Sequence, residues 1–241
     1  MAFSVADVLR DEICREGIAG EFVVHTTASQ HSAVIVSQDN GTRTTVWRRP
    51  PNADDACLER VPDVLEGADV VLFDSTDERL SHTVLDAATS LEIPTVLDTG
   101  SGRAWTDGLL VRTAHVIASE KYDRKLTDGL MTWTDAGGHA AGSKMVAVSE
   151  GGRGGRFRTR PGEGEQRWEA LPVTALDTCG AGDTFHGAYA WAIAAGLPVD
   201  EALDVAAASA ALKATCLGNA AIPSWDEVNA YLNLLPAPPS G

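Results

Sequence analysis

The residues best equipped for chemistry fall in one stretch, "DTCGAGDTF", from Asp177 to Phe185. Two aspartates enclose a glycine-alanine-glycine step, and the run that follows, "TFHGAYAWAIAAG", spaces Phe185, Tyr189 and Ile193 four apart before Gly196. That spacing predicts a buried helix beginning at about Gly182. A helix start preceded by small residues turns several N–H groups outward and lets the backbone approach a ligand closely, which makes an anion site. Asp183 falls in the first turn, where the helix dipole stabilises its charged form. From the residues alone two readings stand: an ordinary capped helix, or an anion hole beside a base. Phosphoryl transfer needs the second arrangement, N–H groups to hold the moving charge and a carboxylate to take the proton of the attacking hydroxyl.

The elements that must hold this stretch are written upstream. "VADVLRDEICREGIAG" has Val5, Val8, Leu9 and Ile13 at helical spacing and a glycine exit between Gly17 and Gly20. Three β-type runs follow, "EFVVHTTA", "HSAVIVS" and "TRTTVWRR", and Asn40-Gly41 between the last two is a strong hairpin signal. The rhythm then alternates: "ADVVLFD", "ERLSHTVLDAATSLE", "IPTVLD", "AHVIAS", "SKMVAVS". Short apolar strands between amphipathic helices predict a parallel sheet covered on both faces, with ligands at the carboxyl ends of the strands. The polar residues there are Asp74, Asp98, Ser119 with Glu120, and Ser149, each also an ordinary turn or N-cap residue. "SEGGRGGRFRTRPGEGEQRWEALP" reads as a β-excursion or a mobile surface loop. It is no Walker A loop, since no G-K-[ST] follows its glycines, and no G-x-G-x-x-G joins a strand to a helix.

Composition narrows the partners. The 241 residues suffice for one α/β domain or a domain with a small appendage. With 34 acidic against 19 basic side chains the net charge is −15, which repels nucleic-acid backbones and anionic membranes. Four scattered cysteines, Cys14, Cys57, Cys179 and Cys216, with no C-x-x-C pair and no leader, predict a reduced cytoplasmic protein without structural zinc. No apolar run approaches the roughly 20 residues of a membrane span.

"DTCGAGDTF" resembles the D-T-x-G-A-G-D-x-F signature of the ribokinase-like (PfkB) family of sugar and nucleoside kinases at every specified position. "VAVSEGGRGG" is similar to that family's strand and turn near the nucleotide phosphates, with Ser149, Gly151 and Gly154 in the matching positions. "IPTVLDTGSGRAW" resembles the segment bearing Asp98, Arg103 and Trp105, and the tail "ALDVAAASAALKATCLGNAAIP" the one that closes the nucleotide pocket around Gly218. The resemblance implies a ribokinase-like three-layer α/β/α fold with a mostly parallel central sheet and a small β lid, truncated at the N-terminus. It implies a helix leading into the lid over 1–20, the lid over 21–50, and the nucleotide-binding core over 51–241.

By the same resemblance the chain is an ATP-dependent carbohydrate kinase with Asp183 as base. The backbone N–H groups of Gly180, Ala181, Gly182 and Asp183 would form the anion hole. Asp177 and Thr178 would shape the turn, Asp177 also helping to hold a monovalent cation such as K+. Mg2+ would bridge the ATP phosphates largely through water, with Glu120 near the metal. Asp98 and Arg103 would face the substrate, and the early strands would fold over the sugar and be shared with a second subunit.

The departures are Ser119 and Tyr122 where the family motif carries asparagine and glutamate, and Ala207 where an asparagine often stands near adenine. "VADVLRDEICREGIAG" resembles an element that in relatives follows the first strands and a glycine-glycine substrate motif. The expectation is therefore a shortened protein, a late-set start or a fragment, with a sheet edge and lid strands left to pair in a homodimer. "QDNGTRTTVWRR" followed by "VLFDSTDERL" resembles the ketohexokinase and fructokinase side of the family, which implies a ketose or fructose-like sugar. Adenosine or another nucleoside, a deoxy-sugar acid held by Arg103, and a silent nucleotide-binding subunit are the alternatives. His186, Cys179 and Trp168 are expected in packing roles, and Trp47 and Trp133 either line a sugar face or cover core edges.

Overall fold

The computed structural model describes residues 5–19, 31–36, 43–48, 52–126, 129–131, 142–159, 163–218 and 222–234. They fall in two compact units, Met1–Val64 and Leu65–Gly241. In the first, helix α1 (Val5–Arg15) ends where the N–H groups of Gly17 and Ile18 bond back to Cys14 and Ile13, a glycine-terminated C-cap. Strands β1 (His31–Val36) and β2 (Arg43–Arg48) form the expected antiparallel hairpin, in register from His31 opposite Arg48 to Val36 opposite Arg43. The Asn40-Gly41 turn and the run "EFVVHTTA" lie outside the described residues. Helix α2 (Asp55–Leu65) is capped by the Asp54 carboxylate, which accepts from Cys57 N.

The second unit is a sheet of six strands in the order β3 (Val71–Asp74), β4 (Thr95–Asp98), β5 (His115–Ser119), β6 (Met145–Ser149), β7 (Gly155–Arg158), β8 (Gln166–Trp168). The first four are parallel and the last two antiparallel, as the alternating rhythm and then the glycine-rich excursion require. Side chains alternate along each strand, and both faces are apolar. Val96, Ile117, Met145 and Ala147 pack under α6 (Ala181–Ala194), α7 (Val199–Ala214) and α8 (Trp225–Leu234). Their neighbours Leu97, Val116, Val146 and Val148 pack under α3 (Glu78–Ser90), α4 (Thr106–Leu110) and α5 (Glu120–Asp123). The result is the three-layer α/β/α arrangement, with the mostly parallel sheet in the middle.

The described residues of the glycine-rich segment form a β-excursion. A 3-10 turn at Gly151–Arg153 leads into β7, and a Cβ on Gly155 would come within 2.1 Å of the Trp168 ring. Trp168, 5% exposed, stacks on Phe185 of α6 at 5.7 Å and tilts against Phe157, so the excursion is sealed onto the core. Arg156 is held by Asp123, Glu150 and Glu165, which fixes the two antiparallel strands against α5.

Candidate active site

All four parallel strands deliver their carboxyl ends to one edge of the sheet, with Asp74 opposite Asp98 and Ser119 opposite Ser149. Two of these residues serve the local turns. Asp74 accepts from Thr76 N and Oγ1, and Ser119 caps α5 by accepting from Tyr122 N. Ser149 Oγ donates to Ala118 O. Asp98 does more: one oxygen accepts from Gly100 N at 2.7 Å and the other lies 3.5 Å from His186 Nδ1.

Helix α6 begins one residue earlier than its periodicity predicts, with Gly180 as N-cap at φ 77°. A side chain there would occupy the left-handed region at a cost of about 1–2 kcal/mol, so the sharp turn selects glycine. No side chain caps the helix start; Ala181 N donates to Thr178 O at 3.3 Å, and the N–H groups of Gly182 and Asp183 follow it in the first turn, where a helix leaves such donors to other acceptors. Asp183 and Gly182 are exposed there, beside half-buried Gly180 and Ala181. One turn on, His186 is 7% exposed, and its Nδ1 lies 2.7 Å from Gly182 O. That contact makes Nδ1 the donor and ties the helix start to Asp98. Nε2 is buried without a hydrogen-bond partner among the described residues.

The turn before the helix is stitched to the end of α7. Leu176 N and Asp177 N both donate to Ala214 O, and Gly218 N donates to Asp177 Oδ2 at 3.1 Å. Asp177 Oδ1 accepts from Cys179 N, so each carboxylate oxygen already holds a backbone donor. Beneath the turn Lys213, 1% exposed, donates from Nζ to Asp177 O. Thr178 is exposed on the turn.

A cavity of about 450 Å³ starts at Gly180 and Asp183 and runs along α6 past Thr184 to Trp191. Trp191 and Trp225 face each other at 4.7 Å, and Ser209 is among the few polar groups on its wall. Asp183 therefore stands at the helix start, at the mouth of a cavity whose far wall is the tail segment with Val205, Ser209, Ile222 and Pro223.

Gly151 and Gly154 bracket the turn after β6, both at positive φ. Glu120 is bound by Arg124 and Arg153, which hold its carboxyl below the usual carboxylate range. Tyr122 is a core residue: its ring lies where a Cβ on Gly102 would stand, and its hydroxyl donates to Asp107. Arg103 is half-buried, with its N–H donating to Thr106 Oγ1. The geometry thus joins Gly180–Asp183, Asp98, Asp177 and Gly218, directly or through His186 and backbone bonds. Among the described residues no group of three His, Cys, Asp or Glu side chains is placed to hold a metal ion.

Two contributors were missed in the sequence, Lys213 and the bridging role of His186. A lone basic residue in an alanine-rich helix was the available signal for the first. The second depends on β4 meeting α6 across the sheet, which no local spacing reveals.

The profile of the pfkB family carbohydrate kinases matches residues 3–226. The chain belongs to this family. In sequence it is 26% identical to a ribokinase of Arabidopsis thaliana over 250 residues, covering 96% of this chain and 63% of that protein. It therefore spans less than two thirds of that relative's length. The solved structure of Arabidopsis thaliana ribokinase complexed with ribose and ATP superposes with TM-score 0.70 at 23% identity, covering 93% of this chain and 78% of that one. A Burkholderia thailandensis nucleoside kinase in complex with inosine superposes with TM-score 0.79 at 16% identity, covering 95% and 76%. These likenesses agree with the three-layer fold, and no helix among the described residues is long and apolar enough to cross a membrane.

Proposed function

We propose that this pfkB-family chain transfers the γ-phosphoryl group of ATP to a hydroxyl of a small sugar. The observation that carries the reading is the uncapped start of α6, with Gly180 in the left-handed turn and Asp183 exposed beside the cavity. The N–H groups of Gly180 to Asp183 hold the charge that spreads over the transferring group. Asp183 takes the proton of the acceptor hydroxyl as its oxygen bonds to phosphorus and ADP leaves. Ser149, Gly151, Gly154, Thr178 and Gly218 line the nucleotide side, and Asp98 and Arg103 the acceptor side.

Magnesium, when bound, neutralises charge across the nucleotide phosphates. The absence of a three-carboxylate cage among the described residues suits an ion held mainly by phosphate and water. Glu120 comes to it already engaged with two guanidinium groups, and Asp177, expected at a monovalent cation, holds two backbone donors.

The relatives' names make ribose the first acceptor to try, alongside the ketose suggested by the lid sequence. A nucleoside is the second reading; the apolar wall at Trp191 and Trp225, beside Val205, Ile222 and Pro223 of the tail, suits the base of ATP and does not choose between the two acceptors. An ADP-release assay with ribose, fructose and adenosine tests all three. Turnover of either sugar supports the first reading, preference for adenosine supports the second, and no turnover of any contradicts both. We also propose a homodimer through the hairpin, where Ile35 and Val46 are 63% and 62% exposed on one face.

A further inference from the structure

We propose that the ammonium group of Lys213 is the built-in monovalent cation of the Asp177–Gly180 turn, so that the site works without potassium. The inference rests on the phosphoryl-transfer reading only for its catalytic consequence; the cation's place stands on geometry. Lys213 lies in the last turn of α7 and is 1% exposed. Lysine is almost never buried this fully without partners. Its Nζ reaches Asp177 O at 3.4 Å, the carbonyl of the turn that opens the anion hole.

The surroundings explain why a cation belongs there. The C-terminal end of α7 presents carbonyl oxygens, and the helix dipole makes that end partly negative. The chain between Leu176 and Asp177 is pinned to the same end by two N–H donors on Ala214 O. The end of α7 and the turn are thus joined twice, by the N–H donors on Ala214 O and by the Lys213 ammonium on Asp177 O. The rest of the buried face of α7 is almost wholly apolar, with Ala206, Ala207, Ala208 and Ala214, so a methionine would serve the packing equally well. The ammonium adds one positive charge under the turn, where it favours an anion bound on the other side.

Potassium fits these residues poorly. Both carboxylate oxygens of Asp177 hold backbone N–H groups, and its carbonyl already faces an ammonium. A potassium ion at that carbonyl would stand against the like charge of a buried ammonium. The lysine replaces the ion that the family resemblance leads one to expect.

Two measurements test this. Melting temperature, without nucleotide, is compared in KCl and NaCl at equal ionic strength for the wild type and Lys213→Met; turnover with the best acceptor is compared in the same salts. The expected wild-type result is the same melting temperature and rate in both. Lys213→Met is expected to lose turnover about 10- to 100-fold in NaCl. Potassium should restore part of that loss and raise the variant's melting temperature specifically. Potassium-specific stabilisation or activation of the wild type overturns the proposal, as does a soluble Lys213→Met with wild-type rate and melting in NaCl. If Lys213→Met does not fold, the wild-type salt comparison decides. If no acceptor is turned over, the kinase reading fails, and the melting comparison still decides the cation.

Discussion

Asp183 and Gly180 do different work three residues apart. Gly180 sets a turn that other residues adopt only under strain, and Asp183 stands in the first turn behind it, where the proposed reaction requires a proton acceptor. The turn and the place of the carboxylate were legible in the sequence, because a glycine turn and a first-turn carboxylate leave local signatures. Lys213 and His186 were not legible in the same way, since their partners Asp177 and Asp98 lie far away in the chain. A third buried residue sets a pH dependence of the fold. His115, 8% exposed, has Nδ1 2.8 Å from the Tyr189 hydroxyl, and burial, aided by the charge of Lys144, pushes its pKa from 6.5 down to about 4. Between those values the unfolded chain takes up a proton that the folded chain refuses. The stabilisation from a neutral His115 is therefore complete above 6.5 and is lost as the pH falls towards 4. The loss reaches about 3 kcal/mol. Denaturant unfolding of the wild type should show this slope between pH 6.5 and 4, and His115→Gln should flatten it.

At the scale of elements, the strand-helix alternation was readable because each strand is a short apolar run and each helix keeps its period. The segment after Ser149 was readable only as either of two forms. Its strands β7 and β8 are short and rich in glycine and charge, and what fixes them is distant: Trp168 against Phe185, and Arg156 against Asp123. Trp168 therefore joins the excursion to the helix that carries Asp183. Trp168→Ala should lower stability by about 3–5 kcal/mol in urea unfolding. An effect below 1 kcal/mol would show that the excursion is not part of the core.

At the scale of the molecule, the larger unit is a three-layer α/β/α core, and among the described residues the hairpin of the smaller unit exposes Ile35 and Val46 on one face. The lid-like strands were legible from alternation and the Asn40-Gly41 signal; what covers them was not, because a partner surface leaves no period in the sequence. Sedimentation velocity at micromolar concentration should give a dimer. Ile35→Glu combined with Val46→Glu should give a monomer with an unchanged melting temperature of the larger unit, whereas a monomeric wild type removes the hairpin interface.

The central claim is that the start of α6 is a phosphoryl-transfer site with Asp183 as its base. It is tested most directly by measuring ADP release and ATP-induced thermal stabilisation side by side for the wild type and Asp183→Asn. The expected variant keeps the stabilisation by ATP with magnesium and loses turnover about 10²- to 10⁴-fold. A variant that turns over acceptor at the wild-type rate would contradict the assignment.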